Sequence, residues 1–323
     1  MKAAFKNLLG LLGRLGITLF AFWWVFRSVD FSVLREIFRA AGIRWLLLGV
    51  GLFFAGQIGC IVRWWLLAPR HPSLKWPFLA NSFFVGNFFN MFLPTTVGGD
   101  VVRGYDLIKA TGEWKGSLAS VLADRLAGFV GFFLFALAAW ILFPPARQDP
   151  LVRGAFAGFC ALVVVTFAVL GSPRILRAML KPFGKIGLGQ LESHAKQFQE
   201  ALRSYLRRPR LLMTVLGVTC FIQVSTILMF SAIARALHLA VPLAYLVLTV
   251  PIILTLAQIP ISLNGWGIRE GATVLFLGRI GVTTEHALSL SLFCAMIPIL
   301  SALIGAVLFL LRKRRKSAKT AAP

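Results

Sequence analysis

Apolar stretches of about 18 to 25 residues, the length that carries a helix across a ~30 Å hydrocarbon core, recur along the whole chain. They predict full spans over residues 8–26, 45–67, 116–143, 151–170, 211–237 and 288–311. Arg14 sits near enough to one end of the first to reach the headgroups, and Arg63, Trp64 and Trp65 before Pro69 read as an interfacial belt closing the second. Residues 30–42 follow a different pattern. There Phe31, Leu34, Ile37 and Phe38 make one stripe and Arg35, Glu36 and Arg39 lie off it, as in a helix lying at an interface. Over 172–210 basic residues dominate, with Leu191, Ala195, Phe198, Leu202 and Tyr205 at helical spacing, which predicts an amphipathic linker.

Two further apolar segments are interrupted. Residues 77–93 carry Asn81, Asn87 and Asn90 and end at Pro94 in a Gly-rich stretch, while 241–261 and 266–280 flank Pro260 and Gly265. Aligned without a gap, PTTVGGDVVR from Pro94 and PISLNGWGIR from Pro260 share proline, a hydroxyl two on, glycine five on, an apolar residue eight on and arginine nine on. Repeated breaks half a chain apart are where inverted-repeat transporters build midplane sites. The predicted fold is an all-α polytopic integral membrane protein. It has about six full transmembrane helices plus two re-entrant or broken helical hairpins in an inverted-repeat arrangement. A single membrane domain covers 1–311, with repeat halves at about 44–143 and 211–311 joined by the basic linker 172–210, and 312–323 form a basic cytoplasmic tail.

Composition narrows the classes. With 58% hydrophobic residues and a mean hydropathy of +0.82, the chain leaves no segment for a soluble catalytic domain. The net charge of +23 is concentrated between spans, where it sets topology and attracts anionic headgroups, so nucleic acid is not the expected partner. Basic linker and basic tail on one side put both termini in the cytoplasm, with roughly twenty basic residues inside against about seven outside. Arg27, Arg35, Arg39 and Arg44 fall on the less favoured side. Cys60, Cys160, Cys220 and Cys294 are far apart, as are His71, His194, His238 and His286, so neither a disulfide framework nor a metal site is expected. No nucleotide-phosphate loop and no Ser, His and Asp set is present, which argues against ATP-driven pumping and hydrolytic chemistry and predicts no cofactor.

The breaks suggest the chemistry. Proline and glycine end a helix and leave unpaired backbone groups, tolerated in a membrane only where protein or a water-filled cavity covers them. The amino end of the next half-helix suits an anion, and Arg103 and Arg269 add a planar fork matched to phosphate. Asp124 and Arg125, about ten residues into their helix and so roughly 15 Å deep, and Glu270 line the same cavity or form structural ion pairs. The abundant Phe and Trp read as lipid-facing or packing surface.

At NMFLPTTVGGDVVRGYDL, VLADRLAGF and QIPISLNGWGIREGA the chain resembles the lysylphosphatidylglycerol synthase transmembrane region family, also called flippase-like domain proteins, over nearly its whole length. The resemblance implies movement of a modified phospholipid between leaflets, and its relatives accompany polyprenyl-linked glycan or hopanoid pathways. The motif positions are Pro94, Gly98, Gly99, Asp100 and Arg103, then Asp124 and Arg125, then Gly265, Gly267, Arg269, Glu270 and Gly271. Thr95, Thr96, Pro260, Ser262 and Asn264 complete the candidate substrate-binding set. The synthase itself carries a soluble aminoacyl-transferase domain after its membrane region and this sequence has a short basic tail there, so no aminoacyl transfer is expected.

The expectation is therefore a lipid flippase or transporter of the cell inner membrane, moving a phospholipid or polyprenyl-phosphate-linked lipid, in which any coupling would run through protonation of Asp100, Asp124 or Glu270. A membrane-embedded lipid-modifying transferase or its accessory subunit is the alternative, and a non-transporting scaffold a third. Expected partners are membrane lipids with an anionic headgroup, then a lipid-biosynthetic enzyme or a second copy of the chain.

Overall fold

The computed structural model describes residues 30–92, 98–171, 207–259 and 262–320, with single positions 16, 19, 20, 23, 27, 204 and 205. The predicted first span and most of the predicted linker lie outside the described residues. What is described is helical: α1 (Phe31–Ala40), α2 (Ile43–Leu67), α3 (Trp76–Phe92), α4 (Gly98–Thr111), α5 (Trp114–Leu142), α6 (Pro150–Gly171), α7 (Pro209–Ala236), α8 (Leu243–Gln258), α9 (Ile268–Gly278) and α10 (Thr284–Thr320). Five of these, α2, α5, α6, α7 and α10, are long and apolar enough to cross a membrane. Their windows are only 17 to 33% buried, as expected when the outer faces meet lipid.

The amphipathic stripe at 31–40 forms α1. Asp30 caps it, its carboxylate accepting from the Ser32 amide at 2.8 Å, and the apolar face packs on α10 through Ile37 and a Phe38–Phe293 stack at 4.4 Å. In α2, Gly49 and Gly59 face α7. A methyl group at either would lie 2.7 to 2.8 Å from Ile233 or Ile222, so their smallness lets the two long helices lie side by side. The loop before α6 holds a short 3-10 helix, Pro144–Arg147, then Asp149, whose carboxylate accepts from the Leu151 and Val152 amides and starts α6.

The two interrupted segments each double back. Contacts between α3 and α4 run in opposite order, Asn90 to Gly99 and Ser82 to Asp106, so the pair is an antiparallel hairpin. Its backbones touch. A methyl group at Gly99 would overlap the Gly86 carbonyl, which leaves glycine as the residue that fits. The α8–α9 pair is closed in the same sense by the Tyr245 hydroxyl donating to the Phe276 carbonyl at 2.6 Å. Its turn needs left-handed backbone at Asn264, Gly265 and Gly267. A methyl on Gly265 would also meet the Ala257 carbonyl at 2.5 Å. At 1.5 Å per residue none of α3, α4, α8 or α9 reaches about 30 Å.

Connecting segments gather at two ends. At one, the Gly42 amide donates to the Ala236 carbonyl and Arg279 pairs with Asp149. At the other, the Tyr205 hydroxyl donates to the Leu67 carbonyl, and Arg312 bonds Asn81 and Asp106. The α3–α4 hairpin opens at the Arg312 end and the α8–α9 hairpin at the Asp149 end. Among the helices so described, packing relations come in pairs. α3 lies on α4 and α8 on α9; α4 lies on α5 and α9 on α10; α3 lies on α10 and α8 on α5.

Candidate functional site

The residues that begin α4 meet the middle of α5 and the last turns of α2. Asp124 lies ten positions into α5, about 15 Å along it, where an uncompensated charge would cost several kcal/mol. It is compensated twice: Arg63 Nε donates to Asp124 Oδ1 at 2.7 Å and Arg103 Nη2 to Oδ2 at 3.0 Å. Asp100, in the first turn of α4, accepts from Arg103 Nη1 at 3.4 Å and from Arg125 Nε. Arg125 Nη1 continues the chain to Gln258 Oε1 at 3.4 Å, at the last residue of α8. Three guanidinium groups thus face two carboxylates, and the group carries one excess positive charge.

Aromatic rings hold this charge in place. The Arg103 guanidinium lies 4.0 Å from the centre of the Trp64 ring and 5.1 Å from that of Phe83. Trp64 is wholly buried and Arg63 is 6% exposed, so neither belongs to the interfacial belt expected from their position near the end of an apolar run. Arg63 is inside the bundle because α5 offers it Asp124, and Trp64 because its ring packs on the Arg103 guanidinium. Three buried N–H donors, Arg63 Nη1, Arg103 Nε and Trp64 Nε1, have no hydrogen-bond partner among the described residues. A buried donor left unmatched costs on the order of 1–3 kcal/mol, so these three N–H groups are positions where a further acceptor would be stabilising.

Around the second break the arrangement is more local. Glu270 is fully buried, accepts from the Gly267 amide at 2.6 Å, and takes the Arg269 fork at 2.7 and 3.0 Å, while Arg269 also lies 4.8 Å over Trp266. Glu270 therefore starts α9 and neutralises Arg269 together. The first break is served similarly, with Asn90 Oδ1 accepting from the Gly99 amide at 2.6 Å. These leading amides already have side-chain acceptors, so the positive character offered to a ligand comes chiefly from the guanidinium groups. The second break reaches the last turn of α3 and the middle of α5: Asn264 Nδ2 lies 3.8 Å from Met91 Sδ, and Gln258 joins Arg125.

Of the residues singled out from sequence, Pro94, Thr95, Thr96 and Pro260 lie outside the described residues. Gly98, Gly99, Asp100, Arg103, Asp124 and Arg125 are brought together. Ser262, Asn264, Gly265, Gly267, Arg269, Glu270 and Gly271 form the second group at the α8–α9 turn. Sequence reasoning passed over Arg63, Trp64 and Gln258. The signal for Arg63 and Gln258 was a polar side chain inside or at the edge of an apolar run; nothing local marked Trp64 as different from Trp65, which is half exposed.

Comparison with curated proteins finds no significant match. The sequence profile of a family described as the lysylphosphatidylglycerol synthase TM region, by contrast, matches residues 11–306, nearly the whole chain and both breaks. With five helices suited to crossing a bilayer among the described residues, this is a multi-pass membrane protein, and the chain belongs to the lysylphosphatidylglycerol synthase TM region family.

Proposed function

We propose that the protein is a lipid transporter of the flippase kind, moving an anionic phospholipid or polyprenyl-phosphate-linked lipid between leaflets without altering it covalently. The observation that carries this reading is the buried cluster of Arg63, Arg103 and Arg125 with Asp100 and Asp124: it has excess positive charge and unmatched N–H donors, and it lies beside two helix breaks. A phosphate supplies what the cluster lacks, a negative charge and several acceptor oxygens. Irregular backbone at membrane depth is expected where a polar group must pass.

The paired packing relations support two halves, α2–α5 and α7–α10, related by an approximate exchange as in an inverted repeat. On this reading the hairpins open at opposite faces, and their turns form a barrier that each face approaches in alternation. The basic sequence after Leu311 assigns the Arg312 end to the cytoplasm of the cell inner membrane, with the amino terminus on the same side.

The test is reconstitution into liposomes with headgroup-labelled phosphatidylglycerol or phosphatidylcholine, following dye quenching from one side and analysing lipids by mass spectrometry before and after. Transport predicts protein-dependent loss of protection for the anionic lipid and an unchanged lipid spectrum. A new lipid mass without translocation would replace this reading with a membrane-embedded transferase.

A further inference from the structure

Outside the buried cluster, a groove of about 810 Å³ is bounded by α3, α4 and α10. Its walls are apolar, with Phe78, Phe89 and Phe309 along its length. One end is polar: Lys109 and Arg312 stand there with Asp106, and Arg312 Nη1 donates to Asp106 Oδ2 at 2.8 Å. Two cations against one carboxylate leave an excess positive charge at the end of α10's membrane-crossing window, and the sequence continues Lys313, Arg314, Arg315, Lys316. An apolar channel with a cationic mouth at headgroup level complements one kind of molecule, a lipid with an anionic headgroup. The packing that corresponds to α3 on α10 is α8 on α5, and α6 narrows that side to a cavity of about 240 Å³.

The wall between groove and cluster is α4 itself. Asp100, Arg103, Asp106 and Lys109 recur every third residue on it, alternating in sign. Asp100 and Arg103 belong to the buried cluster and Asp106 and Lys109 to the groove. Nine residues separate the two ends of this series, about 13 Å at 1.5 Å per residue. Ser82 steadies the middle, its hydroxyl donating to Asp106 Oδ2 at 2.8 Å.

We infer that the α3–α4–α10 groove is a loading station for the transported lipid. It holds an anionic phospholipid with its phosphate on Lys109 and Arg312 and a chain along Phe89 and Phe309, before the headgroup moves along α4 to Arg103. This rests on the transport reading, yet it is tested by binding alone.

A photo-reactive amino acid at Tyr105, an exposed groove residue, is to be combined with phosphatidylglycerol or phosphatidylcholine nanodiscs and cross-linked products mapped by mass spectrometry. The expected result is labelling by phosphatidylglycerol about fivefold above phosphatidylcholine, the factor that roughly 1 kcal/mol provides for the one excess basic charge left once Arg312 pairs with Asp106. Lys109→Gln should bring the two to parity, and Arg312→Gln should do the same if it folds; among the described residues Lys109 has no ion pair to lose, so its variant keeps the test open. Equal labelling of both lipids by the wild type would reduce the groove to ordinary annular lipid and overturn the inference. So would cross-links to peptides from residues 8–26, or between two copies, either of which would name a protein occupant. Headgroup preference here in a protein that moves no lipid would remove the transport reading and leave a lipid-binding groove; translocation without preference would do the reverse.

Discussion

At the scale of single residues, Asp124 is the hinge of the account, because two arginines from different helices depend on it. Breaking a buried pair by removing one partner typically costs about 3–5 kcal/mol, whereas replacing a pair by apolar residues of similar volume is often neutral. Asp124→Asn should therefore lower the melting temperature in detergent clearly. The Arg63→Met, Asp124→Leu double variant should recover part of that loss while leaving translocation abolished. Full recovery of transport with stability would make the cluster a structural fastener only. Arg103 makes a second, sharper case. Lysine keeps the charge but gives up the fork that reaches both Asp100 and Asp124 and the stacking on Trp64 at 4.0 Å. Arg103→Lys should fold and yet move anionic lipid at least about tenfold more slowly, a rise of roughly 1.4 kcal/mol in the barrier.

Helices and hairpins carry a different set of consequences. Because a methyl at Gly99 overlaps the Gly86 carbonyl, Gly99→Ala must part α3 from α4. Overpacking costs of about 1–3 kcal/mol are expected from it in thermal melts, while Gly217→Ala, with open space around it, should be neutral or slightly stabilising. The contact of Asn264 with Met91 makes a further prediction about motion. Cysteines at these two positions, in a background with the four native cysteines replaced, should arrest transport when joined by a short bifunctional reagent and release it on cleavage. Unimpeded transport in the joined protein would mean that the two turns do not separate during the cycle.

Much at this scale was legible beforehand. The helix positions follow from runs of apolar residues, and the two breaks from Pro94, Pro260 and the glycines beside them. The candidate site was legible where chemistry is out of place in a membrane, as at Asp124 and Arg125 in mid-span. It was illegible where identity depends on a partner far along the chain. Arg63 near the end of a span looks like a residue reaching for headgroups, and only the approach of α5 turns it inward. The sequence leaves Glu270 as either a cavity-lining acid or half of a structural ion pair, and the Gly267 amide and Arg269 that it accepts from are local partners of the second kind. The three-residue spacing of Asp100, Arg103, Asp106 and Lys109 was visible in the sequence all along, and it acquires meaning only when Arg312 closes on Asp106 from 206 positions away.

For the whole molecule, two hairpins open at opposite ends, a cationic cluster lies beside the place where they approach, and α4 separates that cluster from an apolar groove. The measurement that tests this most directly is one-sided quenching of labelled phosphatidylglycerol and phosphatidylcholine in proteoliposomes bearing wild type or Arg103→Lys, at matched amounts of folded protein. The account predicts rapid translocation of the anionic lipid by the wild type, slow translocation of the zwitterionic one, and loss of that difference in the variant. Equal handling of both lipids by both proteins would contradict it.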